Sequence, residues 1–222
     1  MPWLFCLCDT ALDVWLNLVV FGKAFFFEFG KDELTIEPAG DIESLRHQHR
    51  HVPARTLPAN CEVVLDDIGG NAVEIGLEIN PGSAQMVELN VLRSPEKEEF
   101  TRISFFPHRG YVDWDRFDNW TRLAKAKDSL ITIDTAYASE LPDVESRASE
   151  IAPVYLAPDE MLKLRVFVDR SIVEVFANDR QCIAVRVYPG RQDSVGVSLR
   201  AQGADALLQS LDIWQMQSIY QH

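Results

Sequence analysis

The sequence predicts an all-β protein in which two antiparallel sheets, each of about six strands, pack face to face. Two observations lead to this prediction. Short runs rich in β-branched and aromatic residues recur along the chain, separated by turn signals such as those at 69–71 and 80–82. Helical periodicity is almost absent, and a single open sheet of about twelve strands would curl or split. The expected architecture is a β-sandwich of the concanavalin or jelly-roll type.

The first half of the chain supplies about half of the predicted strands. An N-terminal hairpin is expected from 25–29 and 33–36, followed by one or two helical turns capped by Asp41. Strands then follow as alternating or apolar runs bounded by turn residues. They are expected at 49–57, 62–66, 72–79, 85–92 and 99–106.

The second half is organised around a hairpin at 162–176. Two apolar runs flank the polar residues Asp169, Arg170 and Ser171, the usual sequence pattern of a tight turn. Alternate residues of each run are apolar, so one face of the pair should be buried. Further strands are expected at 130–134, 182–188, 195–201 and 207–216, with an irregular proline-containing stretch at 142–158.

Size and charge limit the function classes. With 222 residues and 47% hydrophobic content, the chain can bury a substantial core, and one main domain is expected at 37–222. The 34 acidic and 21 basic residues give a net charge of −13, which would repel a phosphate backbone and anionic lipid headgroups. We therefore expect neither nucleic acid nor a membrane as a partner.

The N-terminal segment 1–36 is set apart from the sandwich domain, and residues 3–29 within it are apolar enough to resemble a signal peptide or a membrane span. Charges such as Asp9, Asp13 and Lys23 interrupt it, and no uncharged run reaches the roughly 20 residues of a span. Its role stays open between a remnant of a preceding domain and a linker, and its exposed apolar strands would favour a homo-oligomer. Without a clean export signal, the cytoplasm is the default location.

The hairpin also resembles a known family. The run 164–176, followed by Asn178–Asp179 and by 186–189, is similar to the C-terminal β-sandwich module of glycoside hydrolase family 32, which includes invertases, inulinases and levanases. The likeness extends more loosely from Leu34 to Trp214. Family members are often secreted, so the resemblance leaves secretion open.

The resemblance implies an accessory module rather than an enzyme. In the family the catalytic residues lie on an N-terminal propeller, and the motifs that carry them do not occur here. Asn178–Asp179 is followed by Arg180 rather than proline, and Cys61 precedes Glu62 instead of following a glutamate. The implied partners are a propeller domain and a fructan or sucrose-type sugar, no cofactor is expected, and no activity is expected from this chain alone.

An aromatic and acidic loop is the first candidate site. Trp114, Asp115 and Trp120 suit a sugar, because its apolar ring face stacks on indole and its hydroxyls bind carboxylates. The alternative is a loop that packs on the sandwich edge or on another domain. An independent carbohydrate-binding module therefore stays open beside the accessory role, as does a self-associating structural domain.

Two further patterns are read as structural. His47, His49 and His51 alternate on a predicted strand, but no acidic or cysteine ligand adjoins them, so no metal site is expected. Asp169 and Glu174 could serve as the two carboxylates of a glycosidase. Local roles are more economical: Asp169 accepts backbone N–H bonds in its turn, and Glu174 pairs with a nearby arginine such as Arg165, Arg170 or Arg186.

The four cysteines have no framework spacing and are expected to be free thiols. Cys6 and Cys8 are too close to bridge without strain if extended. Cys61 and Cys182 could pair only if the fold brought their strands together.

Overall fold

A computed structural model of the protein describes residues 18–20, 23–27, 34–110, 128–145, 148–157 and 160–218. It confirms the predicted sandwich, with one antiparallel sheet of six strands and one of seven. A 3₁₀ helix (Ile42–Leu45) precedes the sandwich strands. The strands are β1 (Leu18–Val20), β2 (Lys23–Phe27), β3 (Leu34–Pro38), β4 (Arg46–Val52), β5 (Arg55–Leu57), β6 (Glu62–Gly69), β7 (Ala72–Asn80), β8 (Met86–Arg93), β9 (Thr101–Phe106), β10 (Ser129–Asp134), β11 (Glu150–Val154), β12 (Leu162–Asp169), β13 (Ile172–Ala177), β14 (Gln181–Arg186), β15 (Gly196–Gln202) and β16 (Ala206–Met216).

The two sheets take strands from distant parts of the chain. The six-stranded sheet has the order β11-β10-β9-β8-β15-β6, and the seven-stranded sheet has the order β14-β13-β12-β7-β16-β4, with β5 paired to β16. A separate antiparallel sheet, β1-β2-β3, precedes them, and its β2–β3 pairing confirms the predicted N-terminal hairpin. Among the described residues, no helix has the length and apolar character needed to cross a membrane.

The core lies between the sheets and follows from the alternation of apolar residues. The registers Val166↔Ile75 and Leu164↔Leu77 place four apolar side chains of β7 and β12 on the inner face, where all are buried. The opposing sheet contributes Leu89, Ile103 and Leu199, which are also buried. Removing this apolar area from water supplies the main driving force for folding.

The central hairpin is tighter than predicted. β12 and β13 pair from Leu164↔Ala177 to Asp169↔Ile172, so Asp169 ends the first strand and the turn contains only Arg170 and Ser171. Arg170 has a left-handed φ of +51°, and its N–H donates to the carbonyl of Asn71 at 2.6 Å. Two-residue loops are favoured here because their twist matches that of the paired strands.

Proline accounts for two differences from the predicted strands. The stretch expected to be irregular contains β11, in which Pro153 is tolerated because β11 is an edge strand that needs fewer N–H donors. The run 49–57, expected as one strand, is divided into β4 and β5 around Pro53. The predicted cap is confirmed: Asp41 Oδ1 accepts a hydrogen bond from Ser44 N–H at 3.3 Å.

A buried carboxylate joins three loops at one end of the sandwich. Glu99 accepts hydrogen bonds from the backbone N–H groups of Glu140 (2.7 Å), Gly190 (2.8 Å) and Arg191 (3.1 Å), and from the hydroxyl of Ser194 (2.6 Å). Burial raises the Glu99 pKa, but these donors lower it by more than burial raises it, so the Glu99 pKa lies below its ordinary value. Glu99 is therefore a charged anchor for loops that are far apart in sequence.

A second carboxylate is held at the outer surface of the six-stranded sheet. Glu62 binds Arg93 Nε at 3.1 Å, Lys97 Nζ at 2.9 Å and the Ser198 hydroxyl at 2.6 Å. Partial burial raises the Glu62 pKa, and the hydrogen bonds from Arg93, Ser198 and Lys97 lower it more strongly, to about 2. The folded structure therefore stabilises the ionised form of Glu62.

Replacing Ile75, at the centre of the core, tests the packing. We expect Ile75→Ala to lower the free energy of unfolding by about 2–5 kcal/mol, because a cavity is left where the side chain was buried. Ile151 is a control because its side chain is 62% exposed, and Ile151→Ala should change that free energy by less than about 0.5 kcal/mol. Urea unfolding measures both, and equal effects would contradict the assigned core.

Glu62 gives the fold a defined pH dependence. Its pKa falls from 4.5 to about 2 on folding, so its carboxylate stabilises the fold above pH 4.5 and this contribution is lost as the pH falls towards 2. We expect wild-type protein to be more stable than Glu62→Gln at pH 6, with the difference shrinking across that window. Urea unfolding of both proteins from pH 6 to about 2 measures it; a difference independent of pH would refute the assignment.

Candidate functional site

The outer face of the seven-stranded sheet carries charged and aromatic residues. Because side chains alternate along a strand, Arg165 and Phe167 of β12 point away from the core formed by their neighbours. Glu74 of β7 pairs with Phe167 on one side and with Trp214 of β16 on the other. Arg46, at the start of β4, reaches the same place. We call Arg46, Glu74, Arg165 and Trp214 the Glu74 cluster.

The Glu74 cluster is a closed ion-pair network. Glu74 is only 1% exposed although it lies on an outer face. Its carboxylate accepts hydrogen bonds from Arg46 Nε at 2.8 Å, Arg46 Nη2 at 2.7 Å and Arg165 Nε at 2.5 Å. Burial raises the Glu74 pKa, but the two arginines lower it by more than burial raises it, so the carboxyl group stays ionised. The Arg46 guanidinium also lies 4.4 Å from the Trp214 ring centroid, a cation–π contact.

Two histidines converge on an aspartate beside this cluster. His49 Nε2 and His51 Nδ1 lie 2.7 and 2.9 Å from the same oxygen, Oδ1 of Asp212, and the His49 ring stacks on Trp214 at 4.9 Å. Burial raises the Asp212 pKa, and the hydrogen bonds from His51 and His49 lower it below its ordinary value. Sequence reasoning missed Asp212, which lies 161 residues from His51.

The third histidine of the alternating pattern does not join this group. Gln48 has a φ of +49°, and the pairing of β4 with β16 shifts register between Ile213 and Gln215. His47 therefore sits opposite Gln215, and no residue in the described ranges forms a hydrogen bond with its buried Nδ1. In the part of the chain that the structure describes, no group of three or more His, Cys, Asp or Glu side chains is arranged to hold a metal ion.

We call the central hairpin β12–β13 the signature hairpin, because its sequence carries the family resemblance. It places Asp169 and Glu174 on the outer face as diagonal neighbours. Asp169 pairs with Ile172 and Glu174 pairs with Phe167, which sets their backbones about 7–8 Å apart. The Arg170 N–H donates to the Asn71 carbonyl, and Arg165, one of the three arginines considered as partners of Glu174, binds Glu74. The turn contact of Asp169 and the pairing of Glu174 with Arg170 or Arg186 stay predictions. Glu174 Oε1 also lies 3.9 Å from Cys182 Sγ.

A cavity of about 620 Å³ lies between the hairpin and the chain that leads into the sandwich. Phe167, Asp169, Arg170 and Glu174 contribute to one wall. Pro38, Ile42 and Leu45, from β3 and the 3₁₀ helix, contribute to the other. The signature residues therefore face the entering chain.

Asn178 fixes the two ends of the hairpin to each other. It has a left-handed φ of +48°, which asparagine tolerates better than most residues. Its Oδ1 accepts a hydrogen bond from Lys163 N–H at 3.0 Å, and its Nδ2 donates to Glu160 Oε1 at 3.0 Å and to the Met161 carbonyl at 2.9 Å. Next to it, the Asp179 carbonyl accepts a hydrogen bond of 2.6 Å from Ile36 N–H of β3.

The electrostatics favour carboxylates that hold charge over groups that donate protons. Each carboxyl group in the described ranges with a clearly displaced pKa has that pKa lowered by arginine, lysine or histidine side chains, backbone N–H groups or hydroxyls, whose effect exceeds that of burial. A glycosidase general acid requires the opposite displacement. The groups are Glu62, Glu74, Glu98, Glu99, Glu160, Asp193 and Asp212.

Other candidate residues have different outcomes. Trp114, Asp115 and Trp120 lie outside the described residues, so their proposed sugar contact stays a prediction. Cys61 and Cys182 are both free thiols, the first exposed and the second partly buried.

Fold and site together define an antiparallel β-sandwich module whose signature hairpin faces the chain that enters it. The chain belongs to the family described as "Glycosyl hydrolases family 32 C terminal", whose model matches residues 41–215. This agrees with the resemblance seen in the hairpin.

Two similar proteins are named as a levanase and as a beta-fructofuranosidase. The chain is 29% identical over 187 residues to a levanase of Bacillus subtilis, covering 82% of this chain and 24% of the levanase. It is also 29% identical to the vacuolar acid beta-fructofuranosidase 4 of Arabidopsis thaliana, covering 83% of this chain and 31% of that protein. The chain thus spans about a quarter to a third of these relatives.

Solved structures share the fold at low sequence identity. Fructan 1-exohydrolase IIa from Cichorium intybus superposes with a TM-score of 0.72 at 16% identity, covering 88% of this chain and 40% of that one. Exo-inulinase from Aspergillus awamori gives a TM-score of 0.61 at 18% identity, covering 94% and 35%.

Removing one charge tests the Glu74 cluster. We expect Glu74→Gln to lower the free energy of unfolding by about 3 kcal/mol, because two arginines lose their buried partner. Glu78→Gln is a matched control on the same strand, since Glu78 forms a solvent-exposed pair with Lys163 at 3.1 Å and should contribute less than about 1 kcal/mol. Chemical denaturation compares the two, and equal losses would show that the cluster adds no stability beyond a surface pair.

Proposed function

We propose that this chain is the non-catalytic accessory module of a fructan- or sucrose-cleaving glycoside hydrolase, and that it stabilises a catalytic propeller by packing against it. Membership of the family and the names of the similar proteins support the substrate class. The observation that carries the proposal is the attachment of the entering strand to the signature hairpin. Ile36 N–H donates to the Asp179 carbonyl at 2.6 Å, directly after β13.

This attachment indicates which surface faces a preceding domain. β3 lies against β14, so chain that precedes the sandwich reaches the hairpin edge of the seven-stranded sheet. That edge already carries apolar side chains outside the interior core. Phe176 is buried there and packs edge-to-face against Phe167 at 6.0 Å, while Ile172 is 41% exposed. Exposed apolar surface beside an entering strand favours a protein partner over solvent.

The chemistry of the described carboxylates supports a non-catalytic role. Asp169 and Glu174 lie diagonally across the hairpin instead of facing each other across a substrate. The carboxylates with displaced pKa values are lowered, which favours ion pairing over proton donation. The family's catalytic motifs are also missing from this sequence.

Activity assays test the absence of catalysis. We expect the purified chain to release no fructose from sucrose, inulin or levan. Release that is abolished by Asp169→Ala or Glu174→Ala would overturn the non-catalytic assignment, because it would place the reaction at the hairpin.

Complementation in trans tests the stabilising role. The catalytic domain of Bacillus subtilis levanase, freed of its own C-terminal module, is heated with and without this chain, and residual levan hydrolysis is measured. We expect the chain to prolong the half-life several-fold and Ile172→Asp to abolish this effect. Ile151→Asp is the matched control, because Ile151 is an exposed isoleucine on a strand of the other sheet.

Two outcomes would contradict the docking surface. Protection that survives Ile172→Asp would place the contact elsewhere, and absence of protection by wild-type chain would argue against stabilisation in trans. Sedimentation velocity of the chain alone shows whether the same substitution instead breaks a homo-oligomer.

A further inference from the structure

Two histidines of the edge strand β4 share one carboxylate oxygen of the neighbouring strand β16. His49 Nε2 lies 2.7 Å and His51 Nδ1 lies 2.9 Å from Oδ1 of Asp212. The described strands pair with β4 on one side only, where β16 lies, so these contacts join β4 to the rest of the sheet. We call His49, His51 and Asp212 the His–Asp cluster.

The protonation of the two rings decides how strongly the His–Asp cluster binds. A neutral imidazole carries one N–H, so both rings donate to Asp212 only when His49 is protonated on Nε2 and His51 on Nδ1. An imidazolium donates from either nitrogen, and its hydrogen bond to a carboxylate is stronger because both partners are charged. Imidazole ordinarily titrates near a pH of about 6.5. The contact between β4 and β16 therefore gains strength as the pH falls through this range.

The rings are accessible to protons but fixed in position. The side chains of His49 and His51 are 49% and 51% exposed, so both exchange protons with solvent. The His49 ring lies flat on Trp214, with an angle of 12° between the ring planes. A ring held in this way loses little conformational entropy when it donates to Asp212, so more of the hydrogen-bond energy contributes to stability.

The other charged groups near the His–Asp cluster are paired or oppose each other. Each carboxylate that β7 places on this face already binds a cation. These pairs are Glu74 with Arg46 and Arg165, and Glu78 with Lys163. Arg50 and Asp67 line a cavity together with His49, where the arginine opposes proton uptake by the ring and the aspartate favours it. Asp212 is thus the carboxylate that links the protonation of both rings to the pairing of β4.

The two histidines also influence each other. Once one ring is protonated, its positive charge opposes proton uptake by the other, so the protons bind in two steps that belong to the pair. Burial raises the Asp212 pKa, and the hydrogen bonds from His51 and His49 lower it by more, so the carboxylate stays ionised in mild acid. Its contribution to stability is lost only when Asp212 is protonated, below its ordinary pKa of 3.8.

We propose that the His–Asp cluster is a pH-sensitive device that holds the edge strand β4 against β16 more strongly in mildly acidic than in alkaline solution. β4 directly follows the 3₁₀ helix, which contributes to the cavity beside the signature hairpin. The cluster therefore acts on the segment through which the chain enters the sandwich. It works within this chain and does not depend on docking of a catalytic domain.

NMR titration of the histidine ring protons, on the full chain from about pH 4.5 to 8.5, tests the coupling. We expect Asp212→Asn to lower the titration midpoints of both His49 and His51 by about half a pH unit or more, because the carboxylate that stabilises each imidazolium is lost. His51→Gln should raise the midpoint of His49, which no longer shares the oxygen with a second positive charge. Asp143→Asn is the matched control: this exposed aspartate lies between β10 and β11, at the opposite edge of the sandwich, and should leave both midpoints unchanged.

Urea unfolding connects protonation to the pairing of β4. We expect the urea midpoint of wild-type protein to exceed that of Asp212→Asn by more at about pH 5.5 than at about pH 8, whereas the gap to Asp143→Asn should be the same at both. Unchanged histidine midpoints in folded Asp212→Asn, or a gap that is equal at both pH values, overturns the proposal. Should Asp212→Asn fail to fold, a His49 midpoint that does not rise in His51→Gln has the same consequence.

Discussion

The seven-stranded sheet depends on one buried ion-pair network. Glu74 binds Arg46 and Arg165, which lie 28 and 91 residues away in sequence, and so connects β7 to β4 and β12. The network is confined to a single alignment of these strands, because a shift of one residue would turn Glu74 into the apolar core. Trp214 of β16 lies beside the network, where its ring contacts the Arg46 guanidinium and stacks on the His49 ring. Hydrophobic burial holds the sheets together, but this charge network specifies how the strands align.

Features formed by residues close together in the sequence could be predicted, whereas features that depend on distant residues could not. The hairpin β12–β13 was predictable because its alternation and its turn are contiguous, and the Asp41 cap was predictable for the same reason. β11 was not, because an edge strand with one exposed apolar residue and a proline lacks the usual pattern. The turn was shorter than expected, since Asp169 continues the strand pairing.

The candidate site was less predictable than the fold. The partners of Glu74 and Asp212 come from strands that only the topology brings together, and no local pattern pairs them. The resemblance identified the hairpin, but it did not indicate that Asn178 fixes the hairpin ends or that Asp179 binds the entering strand. Alternation at 47–51 also misled in part, because the positive φ of Gln48 breaks the regular strand geometry there.

The contrast between Glu74 and Glu88 shows that the same residue types can satisfy a buried carboxylate to different degrees within one fold. Both are buried glutamates on outer strand faces, and each is flanked by two arginines. In the Glu74 cluster the donors satisfy the carboxylate, so the charge contributes to stability and nothing remains for a ligand. Around Glu88 the nearest distances to Arg102 and Arg200 are 3.9 and 4.0 Å, which are longer than hydrogen bonds, so within the described part of the chain these arginines act on the carboxylate only through their charge.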